Sequence, residues 1–137
     1  MRLEVLAEAR EIRRARQAVG AWATQIGLPP ATVADLVLAT HEALANAVDH
    51  AYPAAAGAVS VTAECTDGEV LVVVRDHGAW RPPRSVNGRG RGLLLIRHLA
   101  DHVELSHDNT GTTVRMTWRG AVQPQASRSL DARPQCP

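Results

Sequence analysis

Polar and apolar residues recur along the first half of this chain with the periods of one strand and two helices. Arg2 to Leu6 alternates the two classes, which is typical of a strand. From Glu8 to Ile26, apolar residues return every three or four positions, so we expect an amphipathic helix that ends at Gly27. Two prolines follow, and the pattern then predicts a second helix from Ala31 to about Tyr52, where Pro53 ends it.

The pattern in the second half of the chain predicts four strands and one more helix. The strands form two hairpins, with turns at Asp67-Gly68 and at Asp108 to Gly111. Between the hairpins, apolar residues of helical period follow a run of glycines. The strands run from Val59 to Glu64, Val70 to Arg75, Val103 to Leu105 and Thr113 to Trp118. This set of elements predicts an α+β fold, a two-layer sandwich with helices on one face of a mixed, mostly antiparallel sheet.

Length and composition predict one domain with a short tail. The chain has 137 residues, 45% of them hydrophobic, which is enough for a core within residues 1–119. Residues 120–137 are rich in Pro, Gln, Ser and Arg, so we expect a disordered tail. The net charge of +1 gives no bulk electrostatic reason to bind nucleic acid or an acidic membrane.

Cysteine usage and hydropathy indicate the compartment. The two cysteines, Cys65 and Cys136, are too few for a disulfide framework or a zinc knuckle. The sequence also shows no signal peptide and no apolar run near the length of a membrane span. We therefore expect a reducing, cytoplasmic environment.

The second predicted helix carries a polar stripe opposite its apolar side. At 100° per residue, this stripe contains Asp35, Glu42, Asn46 and Asp49. An ordinary solvated face would look similar, but Asn is a poor residue inside a helix, which favours a function. Glu42 and Asn46 lie one turn apart, so a carboxylate and an amide oxygen can converge. An amide oxygen can complete a Mg²⁺ site that holds phosphates, and a carboxylate can accept a proton from a nucleophile.

A second candidate site lies at the end of the strand that begins at Val70. Asp76 follows this strand directly, and a buried carboxylate needs a partner. Gly78 leaves room for a flat ligand, and an Asp that only accepts hydrogen bonds suits the exocyclic amine of adenine. The alternative is a common Asp-x-Gly turn. In Gly111-Thr112, at the start of the last strand, the threonine hydroxyl can join the same hydrogen-bond network.

The segment from Gly88 to Gly92 precedes the third helix and contains two arginines. Glycines let the backbone approach a ligand, and a helix start presents free N–H groups, so this segment is a candidate anion site. A flexible surface loop is the alternative. Arg89 and Arg91 can clamp a phosphate or remain solvated loop charges, and the sequence leaves both open.

Together, these motifs resemble those of the GHKL ATPase superfamily, which has the Bergerat ATP-binding fold. In chain order they are Glu-x-x-x-Asn on a helix, Asp-x-Gly after a strand, Gly-x-Gly-Leu opening a helix and Gly-Thr at a late strand. Within the superfamily, residues 2–118 are similar to the small anti-sigma-factor serine kinases. The resemblance implies an ATP-dependent serine/threonine protein kinase of the histidine-kinase-like ATPase type, with ATP and Mg²⁺ as cofactors.

The resemblance also implies a role for each matching residue. Glu42 is implied as the general base, Asn46 as the Mg²⁺ ligand and Asp76 as the group that binds the adenine amine. The other residues implied to bind the nucleotide are Gly78 beside the ring, Gly90 and Gly92 at the phosphates, Leu93, and Thr112 in the adenine pocket.

Protein partners follow from the same resemblance. The family phosphorylates a serine of a STAS-type anti-anti-sigma factor and alternatively sequesters a sigma factor, and the resemblance implies a homodimer. Two alternatives stay open. One is a detached histidine kinase catalytic domain, although the first helix has no His, and the other is a non-catalytic module that uses ATP to shape a partner surface.

The loop after Gly78 is short for an ATP lid. His41, His50 and His77 lack zinc-ligand spacing, so we expect polar surface or supporting groups.

Overall fold

The computed structural model describes residues 1–48, 57–78 and 91–120 of the chain. Within these ranges the chain forms five strands and three helices. In chain order they are β1 (Arg2–Leu6), α1 (Ala9–Gln25), α2 (Pro30–Asn46), β2 (Ala58–Thr66), β3 (Glu69–Asp76), α3 (Arg91–Leu99), β4 (His102–Asp108) and β5 (Gly111–Trp118). The α+β class and the predicted elements are confirmed, with ends that differ by a few residues. The tail from residue 121 onward lies outside the described part.

The five strands form one sheet in the order β1-β2-β3-β5-β4. All four neighbouring pairs among the described strands are antiparallel, so the sheet contains none of the parallel pairing that a mixed sheet would have. The predicted hairpin between β2 and β3 has Asp67 and Gly68 at its turn, with φ of 52° and 79°. Two positive φ angles in a two-residue loop make the type I′ turn, whose twist matches that of the strands.

The core lies between one face of the sheet and the helices. Because side chains alternate along a strand, every second residue of β2 and β3 is buried, including Val61 and Val74, which are cross-strand partners. From α2, Leu36 and Leu44 are fully buried in the same core. The opposite face of the sheet carries mostly Thr, Ser, Glu and Arg side chains, together with Leu6, Leu71 and Val73.

Helices α1 and α2 pack closely against each other. Gly27 ends the turn after α1 with a φ of 86°, and Pro30 opens α2 at a position where its missing N–H is not needed. A Cβ built on Gly20 would lie 3.1 Å from Val37 Cγ2, so this glycine permits the close contact. The predicted extension of α2 to Tyr52 falls partly on residues 49–52, which are outside the described residues.

The end of α3 is tied to β5 by three hydrogen bonds. The indole Nε1–H of Trp118 donates to the Leu99 carbonyl at 2.9 Å. The Asp101 N–H donates to the Thr117 carbonyl at 2.9 Å, and the Arg119 N–H donates to Asp101 Oδ2 at 2.7 Å. These bonds fix the C-terminal end of α3 relative to the sheet.

Among the described residues, none of the helices is both long and apolar enough to cross a membrane. Cys65 is half-buried in β2, and the other cysteine of the chain, Cys136, is outside the described residues. The reducing environment stays a prediction.

The turn between β4 and β5 brings the start of β5 against the end of β3. Asp108 Oδ1 accepts hydrogen bonds from the Thr110 hydroxyl and N–H, at 2.6 and 2.7 Å, and these bonds lower the pKa of the Asp108 carboxyl. Gly111 follows with a φ of 147°, and a Cβ built on it would collide with the backbone oxygen of Asp76. The two strands therefore meet at a position that only glycine fits.

We expect Gly111→Ala to lower the free energy of unfolding by at least about 3 kcal/mol, because it combines an unfavourable φ with a backbone collision. Gly27→Ala is the matched control, since Gly27 also has a positive φ but has nothing within 4 Å of a built Cβ. The control variant should lose only about 1–2 kcal/mol. Urea unfolding followed by circular dichroism measures both, and equal losses would contradict the proposed collision.

Candidate functional site

The first part of the site is a buried carboxylate at the end of β3. Asp76 is only 6% exposed, and its Oδ1 accepts hydrogen bonds from the Gly78 N–H at 3.1 Å and the Thr112 N–H at 3.3 Å. The structure therefore brings together three of the residues predicted to bind adenine. A carboxylate can accept about four hydrogen bonds, so it has capacity for a further donor.

Burial and hydrogen bonding shift the pKa of the Asp76 carboxyl in opposite directions. Burial raises the pKa of the carboxyl above its ordinary value of 3.8, and the hydrogen bonds from Gly78 and Thr112 partly oppose that rise. With the raised pKa, the folded protein holds the proton more tightly than the unfolded chain. This carboxyl therefore stabilises the fold increasingly as the pH falls from the raised pKa to 3.8.

Gly111 permits one of the hydrogen bonds to the Asp76 carboxylate. The sequence alone assigned this glycine no role in the site. Because Gly111 has no Cβ, β5 can start against the backbone of Asp76, which places the Thr112 N–H within reach of the carboxylate. The Gly-Thr pair was the available signal, but the sequence does not show that it packs against a residue 36 positions away.

The second part of the site is a polar contact between α2 and α3. A Cβ built on Gly92 would lie 3.1 Å from Asn46 Oδ1, 3.3 Å from Asn46 Nδ2 and 3.3 Å from Glu42 Oε2. Both side chains therefore reach the first turn of α3, and both are half-buried. The predicted convergence of Glu42 and Asn46 is present in the structure, and Gly92 is the residue that leaves room for it.

The chemistry of this contact fits a hard cation and an anion together. Carboxylate and amide oxygens are the ligands that Mg²⁺ prefers, and Mg²⁺ usually keeps waters and phosphate oxygens as its other ligands. The first N–H groups of α3 have no partner within the helix, so they can face an anion. Within the described ranges, no group of three or more His, Cys, Asp or Glu side chains could hold a metal ion. A metal here would depend on phosphate for part of its coordination.

The remaining residues predicted to bind the nucleotide either pack against the core or lie outside the described residues. Gly90 and Arg89 fall outside the described residues, as does the side chain of Arg91. Leu93 is half-buried and packs against the hydrophobic core, and its contact with ATP stays a prediction.

The histidines near the site differ in exposure. His77 is exposed, while His50 is outside the described residues. His41 Nδ1 is buried and has no hydrogen-bond partner in the described part of the chain. The sequence gave no signal for this buried nitrogen, because the neighbours that cover it come from the tertiary fold.

We expect Gly92→Ala to weaken Mg-ATP binding at least about tenfold while the fold stays as stable. The new methyl group must displace the Asn46 and Glu42 side chains, whereas alanine is the better helix former by about 1 kcal/mol. Gly20→Ala is the matched control, because its Cβ would also meet a neighbour at 3.1 Å but between α1 and α2. Calorimetric titration and thermal unfolding of both variants make the comparison. Equal effects of the two substitutions on affinity would rule out a specific role for Gly92.

The chain is similar to known proteins over most of its length. A model of the histidine kinase-like ATPase domain matches residues 5–118. The chain is 30% identical over 130 residues to an anti-sigma F factor of Caldanaerobacter subterraneus subsp. tengcongensis, covering 85% of this chain and 91% of the relative. It is 25% identical over 131 residues to the serine-protein kinase RsbW of Bacillus thuringiensis, covering 84% of this chain and 81% of that protein.

A solved structure has the same fold. The structure of the RsbU and RsbW domains of a Mycobacterium tuberculosis protein matches 87% of this chain with a TM-score of 0.67 and 28% identity. The chain spans only 32% of that longer chain. With a family model that covers most of its length, the chain belongs to the histidine kinase-like ATPase domain family.

Proposed function

We propose that this chain is an ATP-dependent protein serine kinase that also acts as an anti-sigma factor. The observation that carries the proposal is the convergence of Glu42 Oε2 and Asn46 Oδ1 on Gly92 at the start of α3. This contact combines a proton acceptor, a metal ligand and a helix N-terminus in one place. The names of the relatives, an anti-sigma F factor and a serine-protein kinase, support the same function.

In this proposal, Asp76 holds the adenine of ATP. Its carboxylate accepts a hydrogen bond from the adenine amine, while the N–H groups of Gly78 and Thr112 keep the carboxylate oriented. The phosphates extend toward the first turn of α3, where Gly92 leaves the backbone N–H groups accessible. Gly90, which lies outside the described residues, is proposed as a further phosphate contact. Mg²⁺, when bound, neutralises charge on the phosphates, and Asn46 is its protein ligand.

Glu42 acts as the general base. Phosphoryl transfer depends mainly on positioning and charge neutralisation, so the protein has to place the acceptor hydroxyl in line with the γ-phosphate. A half-buried carboxylate next to Gly92 can accept the proton of that hydroxyl as its oxygen bonds to the γ-phosphorus. The bond from the γ-phosphorus to the β–γ bridging oxygen breaks in the same transfer, and ADP leaves. The acceptor is the serine of a STAS-type anti-anti-sigma factor.

The sigma factor is the second partner, and we place the protein in the cytoplasm as a homodimer. A sigma factor works on RNA polymerase, so a protein that sequesters it must share its compartment. In this proposal the kinase domain comprises residues 1–119 and residues 120–137 are its tail. Helix α1 contains no histidine, which disfavours a histidine kinase that phosphorylates its own helix.

Substitution of Glu42 and Asn46 separates binding from chemistry. We expect Glu42→Gln to keep Mg-ATP affinity and to slow serine phosphorylation by about 10²–10⁴-fold, because the shape of the side chain is retained and the base is lost. Asn46→Ala should weaken Mg-ATP binding and phosphorylation together, because a metal ligand is removed.

The measurement uses ATP labelled at the γ-phosphate, the full chain and a recombinant anti-anti-sigma protein as acceptor. Phosphoserine on the acceptor, with the two variants behaving as described, supports the kinase. A Glu42→Gln variant with an undiminished rate would remove Glu42 as the base. If the wild-type chain binds Mg-ATP and the partner but labels no serine, the protein is the non-catalytic module instead.

A further inference from the structure

Helix α2 has an unusually apolar outer side. Its exposed residues are Pro30, Ala31, Ala34, Asp35 and Leu38. Helix α1 has the same length, but its exposed residues include three arginines and two glutamines beside Thr24 and two alanines, namely Ala9, Arg10, Arg13, Arg14, Gln17, Ala21, Thr24 and Gln25. A surface helix normally opposes its buried side with charged residues, as α1 does. The outer side of α2 is therefore better suited to contact with another protein than to water.

Leu38 is the largest of these exposed apolar side chains, and it lies one turn before Glu42. Its side chain is 41% exposed. Residues four apart on a helix have Cβ atoms about 5–6 Å from each other, and helical side chains lean toward the N-terminus. Leu38 and Glu42 are therefore neighbours on one side of α2, so an apolar side chain lies one helical turn from the residue whose carboxylate faces Gly92.

A protein that offers its hydroxyl to Glu42 has to cover Leu38. The hydroxyl oxygen must come within about 2.6–3.2 Å of the carboxylate to transfer its proton. The residue next to the target serine has its Cα only about 3.8 Å from that of the serine. Its side chain is therefore close enough to reach Leu38, one helical turn from Glu42. Gly92, which lies against the Glu42 carboxylate, has no side chain with which to recognise it.

We propose that Leu38 is a specificity-determining residue, which receives an apolar side chain next to the target serine of the acceptor protein. This inference rests on the proposed kinase function and names the acceptor sequence that the site selects. Leu38 does not touch the reacting atoms. Its contribution is the apolar area that is removed from water when the acceptor binds.

The test is the steady-state kinetics of Leu38→Ser on the recombinant anti-anti-sigma protein that the wild-type kinase phosphorylates. We expect KM for this acceptor to rise about tenfold, since losing one apolar contact of this size changes binding by about one decade. The kcat and the affinity for Mg-ATP should stay within about twofold of wild type. Leu38→Met should restore KM, because its apolar volume is similar.

Leu6→Ser is the matched control for the Leu38 substitution in the kinase. Leu6 is 49% exposed at the end of β1, and its position in the strand places it on the sheet face away from the helices. It should leave KM unchanged. A Leu38→Ser variant with the same KM as Leu6→Ser would overturn the inference while leaving the kinase proposal intact.

A substitution in the acceptor completes the test. Changing the apolar residue beside its serine to Ser should raise KM for the wild-type kinase, and the two changes together should raise it little more than either alone. Fully additive effects would show that Leu38 does not contact that residue, which contradicts the inference. If the wild-type chain labels no serine in any arm, the kinase function itself fails, and the assignment of Leu38 fails with it.

Discussion

The arrangement of this protein depends on one buried carboxylate. Asp76 stands at the end of the central strand β3 with 6% of its surface exposed, and an ionised group in that position has to be hydrogen-bonded. One of its two N–H donors is close in the sequence, Gly78 just after β3, and the other, Thr112 at the start of β5, comes 36 residues after Asp76. The second bond requires β5 to start directly against β3, and Gly111 permits that approach. The hydrogen bonding of Asp76 thus requires β3 and β5 to be neighbours.

The packing of α2 against α3 also depends on polar side chains of the candidate site. Two helices normally join through apolar side chains, but here Asn46 and Glu42 face the first turn of α3 across Gly92. Half-burying a carboxylate and an amide stabilises the fold less than a pair of leucines would. The gain is a set of oxygens held close to helix N–H groups. The hydrogen bonds of Trp118 and Asp101 at the other end of α3 fix the helix, so that its first turn stays against α2.

The sequence predicts contacts between residues that are close along the chain, but it does not predict contacts between residues that are far apart. The turn at Asp67-Gly68 was predictable because positive φ angles select these residue types, and the structure has them at 52° and 79°. The pairing of Glu42 with Asn46 was predictable because helix geometry alone places them on one side. The contact of Gly92 with both side chains was not, because it joins residues that are about 50 positions apart. The ordering of β5 between β3 and β4 is equally non-local.

The affinity of the protein for ATP relative to GTP, measured by calorimetry with Mg²⁺ present, tests the role of the buried carboxylate most directly. In the proposed site, Asp76 accepts a hydrogen bond from the amine of adenine, whereas guanine would present a carbonyl oxygen and leave two acceptors facing each other. An unpaired buried acceptor costs about 1–3 kcal/mol, so ATP should bind at least about fivefold more tightly than GTP. Equal affinity for the two nucleotides would contradict this account of Asp76.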